Sequence, residues 1–209
     1  MRGHGGGVLN LPRAQNTTGE PAVITVFGSS RPQPGDADYE EARALGVELA
    51  RRGFAVCTGG YGGVMEAASR GAREAGGRVL AVTAKFFRTP ANRWVEEEIR
   101  VESWQERLFE LIRRGAGYVA CKGGTGTLVE LAVVWEMLNK GVLPPRPFVV
   151  LGNFWRPVIE RVREVEASGL PSSEAPASPW REAGSRLIYE AATPADAAEY
   201  LYRVLCAAP

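Results

Sequence analysis

A short apolar strand, a glycine-rich turn and a helix with a carboxylate in its first turn follow one another in Val119-Ala120-Cys121-Lys122-Gly123-Gly124-Thr125-Gly126-Thr127-Leu128-Val129-Glu130. Glycines let a backbone come close to a ligand, and the unpaired N–H groups of a helix start attract phosphate. Gly123, Gly124 and Gly126, with the hydroxyls of Thr125 and Thr127, therefore read as a phosphate cradle. Glu130, just behind them, is placed to act on whatever the phosphate is attached to. The plainer reading is a tight strand-to-helix turn that holds no ligand. No Gly-Lys-Ser/Thr follows at the spacing of a Walker loop, and Val129 stands where a dinucleotide fingerprint has its third glycine.

Two more turns resemble the first. Gly28-Ser29-Ser30 ends an apolar run over 22–27, and Gly59-Gly60-Tyr61-Gly62-Gly63 separates the run 54–58 from a helix opening near Val64. Met65 holds the third-glycine place there, so this turn fails the dinucleotide test too. Gly28, Ser29, Ser30, Gly60, Gly62 and Met65 join the residues expected to touch a ligand.

Two charged residues stand out against the helical pattern. On a wheel, Leu128, Leu131, Ala132 and Trp135 form one face and Glu130, Val133, Val134 and Met137 nearly the opposite one. A helix apolar on both sides is covered on both sides, by another helix or by a partner subunit, so a homodimer or larger assembly is expected. Glu130 is then either a buried carboxylate with a raised pKa or a first-turn glutamate facing water, and the wheel does not choose between them. Arg107 borders the stripe Trp104, Leu108, Leu111 and Ile112, which by itself describes an arginine snorkelling at the edge of the core.

These residues need a scaffold, and the chain repeats strand, turn and helix without hairpin signals. Strands are expected at 22–27, 54–58, 78–83, 118–121, 148–151 and 187–189, with a short extra one at 99–101. Helices are expected after Asp38 (with Glu41 as a capping box), at 64–74, 103–114, 125–139 and 157–166, and after a Thr193 cap with Pro194 in first position. The pattern is that of an α/β fold, a parallel sheet with helices on both faces, in a single domain over 21–209. Ligands in such sheets sit at the carboxyl ends of the strands where the order reverses, and all three glycine-rich turns fall on that edge. Residues 1–20 read as a flexible leader and 169–183 as a Pro/Ser-rich loop.

Composition narrows the function. At 209 residues, 45% hydrophobic and 23% charged, the chain is ordinary globular material. A net charge of +1 gives no reason to invoke nucleic acid, and no apolar run reaches the roughly 18 residues of a membrane span. No secretory signal is visible, so a cytoplasmic protein is expected. The one histidine, His4, lies in the leader, which argues against a Ser-His-Asp triad or a histidine metal centre. Cys57, Cys121 and Cys206 read as core thiols, Glu96-Glu97-Glu98 as a solvated run, and Phe154 and Trp155 as packing residues. No metal and no cofactor is expected, and the partner is a nucleotide or another phosphorylated small molecule.

Gly28-Ser29-Ser30, then Thr58-Gly59-Gly60-Tyr61-Gly62-Gly63-Val64-Met65, then Gly123-Gly124-Thr125-Gly126-Thr127-Leu128-Val129-Glu130 resemble the LOG (LONELY GUY) family, once mislabelled as lysine decarboxylases. The resemblance covers about residues 22–165. It implies a Rossmann-like, doubly wound dimer that hydrolyses the N-glycosidic bond of nucleoside 5′-monophosphates, such as cytokinin ribotides. The group also includes relatives that bind nucleotides or a molybdenum cofactor without turnover. By position, Glu130 matches the family's catalytic glutamate and Arg107 the arginine of its Arg-Lys pair. Leu108 replaces the lysine of that pair, Lys122 the usual proline before Gly123, and Glu66 the glycine after Met65. A pyridoxal-phosphate decarboxylase finds no support, since Lys122 is the only lysine near the expected pocket.

Overall fold

Runs of β-branched and small apolar residues form strands here because both faces of an inner parallel strand are covered. The computed structural model describes residues 19–168 and 187–206. Its elements follow as β1 (Val23–Phe27), α1 (Ala37–Arg51), β2 (Ala55–Thr58), α2 (Val64–Glu74), β3 (Val79–Ala84), a 3-10 turn (Lys85–Phe87), β4 (Glu97–Val101), α3 (Trp104–Arg114), β5 (Gly117–Ala120), α4 (Thr125–Asn139), β6 (Phe148–Leu151), α5 (Arg156–Ser168), β7 (Ile188–Ala191) and α6 (Pro194–Cys206).

All pairings are parallel, in the order β4-β3-β2-β1-β5-β6-β7. The chain builds outward from β1 to β4, returns to the other side of β1, and builds outward again. The order therefore reverses between β1 and β5, where Ile24 is in register with Gly117 and Phe27 with Ala120. This is the Rossmann-like, doubly wound arrangement. Helices α1, α2 and α6 bury Leu45, Ala68 and Leu201 against one sheet face, with Ile24, Val26 and Val56. Helices α3, α4 and α5 bury Leu111, Leu131 and Ile159 against the other, with Phe27, Val82 and Val150. Cys57 and Cys121 are buried, and loss of water pushes the Cys57 thiol up to about 12, as inert core thiols require.

Glycines set how closely α1 and α2 cross. A Cβ at Gly46 would stand 2.1 Å from the Ala68 carbonyl oxygen, and one at Gly71 would stand 1.9 Å from that of Arg43. Gly46→Ala is expected to lower stability by about 1–3 kcal/mol through overpacking. Urea unfolding should register this as a lower midpoint at unchanged slope.

Several local expectations are corrected. The capping box at Asp38 and Glu41 does not form. Asp36 precedes the helix with its Oδ2 accepting from the Gln33 N–H at 2.8 Å, and Asp38 instead pairs with Lys122 at 2.9 Å. The short strand at 99–101 begins earlier, at Glu97, because it can add to the β3 edge along its whole length. The Glu96-Glu97-Glu98 run is largely exposed, as expected, and is also partnered: Glu96 pairs with Arg73, Glu97 with Arg78, and Glu98 accepts from the Thr83 hydroxyl. The Thr193 cap does form, its Oγ1 accepting from the Asp196 N–H at 3.1 Å. The expected leader, apart from residues 19 and 20, and the 169–183 loop lie outside the described residues. Among the described residues, no helix is long and apolar enough to cross a membrane.

Candidate active site

The three glycine-rich turns meet at the carboxyl ends of β1, β2 and β5, and main-chain hydrogen bonds staple them together. The Ser29 N–H donates to the Lys122 carbonyl at 3.1 Å, and the Val64 N–H donates to the Ser29 carbonyl at 2.8 Å. Gly63 makes the second contact possible. Its φ of +68° is left-handed, and a Cβ there would come within 2.3 Å of the Ser29 oxygen. Above the junction opens a cleft of about 1280 Å³. Gly28, Ser29, Ser30, Gly62, Met65, Gly123, Gly124, Thr125, Gly126, Thr127, Arg107 and Glu130 all line it.

Helix α4 starts at Thr125 with no side chain capping it, so its first N–H groups face the cleft turn without a side-chain acceptor. Gly124 and Gly126 have open space where a Cβ would stand, which leaves room for a ligand. Gly123 serves packing instead, since a Cβ there would meet the buried Thr127 hydroxyl at 2.2 Å. Electroneutral N–H donors with small residues around them suit a phosphate.

Arg107 is drawn into this cleft by α3. Ser103 opens that helix, its Oγ accepting from the Glu106 N–H at 3.2 Å, while the Glu106 carboxylate takes the Glu102 N–H at 3.0 Å. One turn later the Arg107 side chain enters the interior and is only 7% exposed. Its Nε donates to the Val82 carbonyl at 2.9 Å, and Nη2 reaches the Met65 sulfur at 3.8 Å. The guanidinium lies 5.3 Å from the Tyr61 ring and 5.6 Å from the Phe87 ring. Burial lowers its pKa, and the nearby Glu130 charge opposes that shift. A guanidinium so held is still charged.

Glu130 lies one full turn into α4, not in the first turn, and its side chain is 14% exposed. The buried alternative is therefore the correct one. Its Oε1 is 3.9 Å from Arg107 Nη1, an ion pair without a hydrogen bond. Loss of water pushes its carboxyl up to about 7, and Arg107 only partly offsets this. An acid poised there exchanges a proton easily at neutral pH.

The α4 wheel needs correction. Thr127, Leu131, Val134, Trp135 and Leu138 face the core, whereas Leu128 is 37% exposed and Ala132 is exposed. Gly60 does not line the cleft. Its φ of +78° and its tight fit against Ala81 and Thr83 give it a structural role, and its carbonyl accepts from Asn92. Arg107, which its stripe alone describes as a core-edge residue, is a buried cleft residue. Leu108 is a cleft-wall residue that also belongs to the core. Trp155 packs as expected, donating its Nε1–H to the Cys121 carbonyl, whereas Phe154 stacks edge-on against it and remains 44% exposed.

The structure adds residues that pattern reading did not single out. Tyr61 is anchored to both backbone polar groups of one residue. Its hydroxyl accepts from the Ala84 N–H at 3.0 Å and donates to the Ala84 carbonyl at 3.3 Å. Phe87, from the 3-10 turn, packs edge-on against the Tyr61 ring at 5.4 Å. A large aromatic inside a glycine run was the available signal for Tyr61; nothing marked Phe87. Gly59 was missed as well. A Cβ there would fall 1.6 Å from Arg107 Nη2.

Known proteins agree with this architecture. A cytokinin riboside 5′-monophosphate phosphoribohydrolase of Mycobacterium marinum is 35% identical over 99 residues, 46% of this chain and 53% of its own length. A pyrimidine/purine nucleotide 5′-monophosphate nucleosidase of Escherichia coli K12 is 29% identical over 140 residues, 63% of this chain and 30% of its own. The chain thus spans about half, or less, of the length of these two relatives. Among solved structures, the molybdenum cofactor binding protein of Rippkaea orientalis superposes with a TM-score of 0.66 at 22% identity, covering 88% of this chain and 97% of that one. That likeness is one of fold. The SLOG cluster4 family matches residues 21–152, the span that holds all three glycine-rich turns, Arg107 and Glu130. By that match over most of its length, the chain belongs to the SLOG cluster4 family.

Proposed function

We propose that the protein hydrolyses the N-glycosidic bond of a nucleoside 5′-monophosphate, of the cytokinin-ribotide or AMP kind, releasing free base and ribose 5-phosphate. The observation that carries the reading is a desolvated carboxylate at about 7, facing a fixed arginine, in the same cleft as a helix start that suits phosphate. Similarity to two enzymes named for reactions on nucleoside monophosphates supports it.

The chemistry follows from those parts. Leaving of the base develops positive charge on the ribose, in the oxocarbenium manner of glycoside cleavage. Ionised Glu130 stabilises that charge or takes a proton from the attacking water. Arg107, unable to swing away, polarises the departing base or holds the ribose phosphate. The cradle at Thr125 fixes the phosphate, so its binding energy positions the bond for attack. Incubation with AMP and other nucleoside monophosphates, followed by assay for free base and ribose 5-phosphate, tests this. Release from at least one supports it, and binding of all without release overturns it.

A second reading, a carrier or sensor that holds a nucleotide or the molybdenum cofactor without turnover, draws on one observation. Leu108, apolar and in the core, stands where the resembled family has the lysine of its Arg-Lys pair. Binding without base release is its signature.

A homodimer belongs to the same proposal, on revised grounds. Helices α3 and α4 expose large apolar side chains: Phe109 at 53%, Leu128 at 37% and Trp104 at 37%. Sedimentation should give about twice the chain mass at micromolar concentration. A monomer there would overturn the dimer and leave the hydrolase reading standing.

A further inference from the structure

The cleft is lined from both sides of the carboxyl edge of the sheet, which gives it two sides, or lobes. Arg107, Leu108 and Glu130 come from α3 and α4, which cover one sheet face, and they form the first lobe. Arg31, Asp36, Asp38 and Lys122 gather at the start of α1, which covers the other face, and they form the second. The cradle at 123–127 lies between them. With the phosphate in the cradle and ribose and base beside Glu130, a nucleoside monophosphate occupies the first lobe only. The whole cleft, about 1280 Å³, exceeds the roughly 300–1,000 Å³ of an ordinary small-molecule site.

We propose that the second lobe binds a further phosphate and a hydroxyl-bearing group attached to it, so that the preferred ligand is a nucleoside diphosphate ester rather than a bare monophosphate. This rests on the phosphate assignment of the cradle, not on hydrolysis. Arg31 lines the lobe and makes no ion pair among the described residues. A guanidinium offers a phosphate two parallel N–H donors. Lys122 is paired with Asp38, but the two side chains are 51% and 35% exposed, and such a pair is held weakly. Lys122 can therefore turn to a second phosphate at little cost. Asp38 is then released, and Asp36 has one carboxylate oxygen beyond its bond to the Gln33 N–H. Carboxylates beside two cations accept hydroxyl hydrogens, as a sugar beyond the diphosphate would supply. Asp36 and Asp38 balance Arg31 and Lys122 in charge, so a second phosphate there is held by the directed N–H donors of Arg31 and Lys122 while the carboxylates take the hydroxyls beyond it.

Calorimetry with AMP, ADP and ADP-ribose on the whole chain at fixed salt tests this. AMP and ADP-ribose carry nearly the same net charge at pH 8, so a difference between them reports the second lobe rather than overall charge. ADP-ribose is expected to bind about tenfold more tightly than AMP, a difference of one decade in Kd. Arg31→Ala and Lys122→Ala should each erode that preference while AMP affinity stays within about twofold, since each removes one charge-assisted contact. Equal affinity for AMP and ADP-ribose would overturn the second lobe and leave the cradle standing. A preference that survives both variants would overturn the assignment to Arg31 and Lys122. Binding of none of the three would overturn the cradle and this inference together.

Discussion

Glu130→Gln is expected to lower base release by about 10²–10⁴-fold, the usual worth of a positioned acid or base, while nucleotide still binds. The substitution keeps shape and removes only the ionisation that burial has displaced. Wild-type kcat/KM should rise with pH through about 7, because the ionised carboxylate is the working form. Stability should move the other way. Between the ordinary glutamate value of 4.5 and about 7, the folded protein binds a proton that the unfolded chain does not. Stability contributed by that proton is present at the low end of the window and lost as pH rises through it. The Gln variant lacks this slope, so the wild-type urea midpoint should fall relative to that of the variant as pH rises across that window. A variant that kept full turnover would remove Glu130 from the chemistry.

Gly59→Ala is expected to lose about 10²-fold in kcat although the residue does not line the cleft, because misplacing a catalytic group by about 1 Å costs that much. The new methyl would fall 1.6 Å from Arg107 Nη2 and 2.7 Å from the Met65 sulfur. Arg107 cannot retreat, being bonded to the Val82 carbonyl and flanked by Tyr61 and Phe87. Circular dichroism should show a folded protein, with the loss confined to turnover. A Gly59→Ala variant of wild-type rate would mean that the arginine's position is immaterial.

Much of the framework was legible because short β-branched runs alternate with amphipathic helices and glycine turns. The bounds expected for α4, 125–139, are those observed. Its orientation was not legible. Apolar residues surround that helix almost completely, so periodicity carries little information about which side meets the sheet. Leu128 and Val134 consequently exchanged roles, and the position of Glu130 depended on the answer. Arg107 was obscure for a different reason. Its partners, Val82, Met65 and Tyr61, come from β3, α2 and the turn before it, so no local pattern on α3 reveals them. The resemblance identified both residues by position, and the geometry supplies the physical reason for each. Gly59 was visible only as one glycine among several, since its importance lies in the space that another element fills.

The bonds through Ser29 carry a last consequence. They join the turns at residues 29, 64 and 122, so the ligand cradle comes into existence only when β2 and β5 have both closed on β1. No fragment that lacks one of these three turns should retain affinity. Occupancy by nucleotide should therefore protect the backbone amides of β1 and β5 from solvent exchange as one cooperative unit, making the ligand a reporter of global rather than local opening.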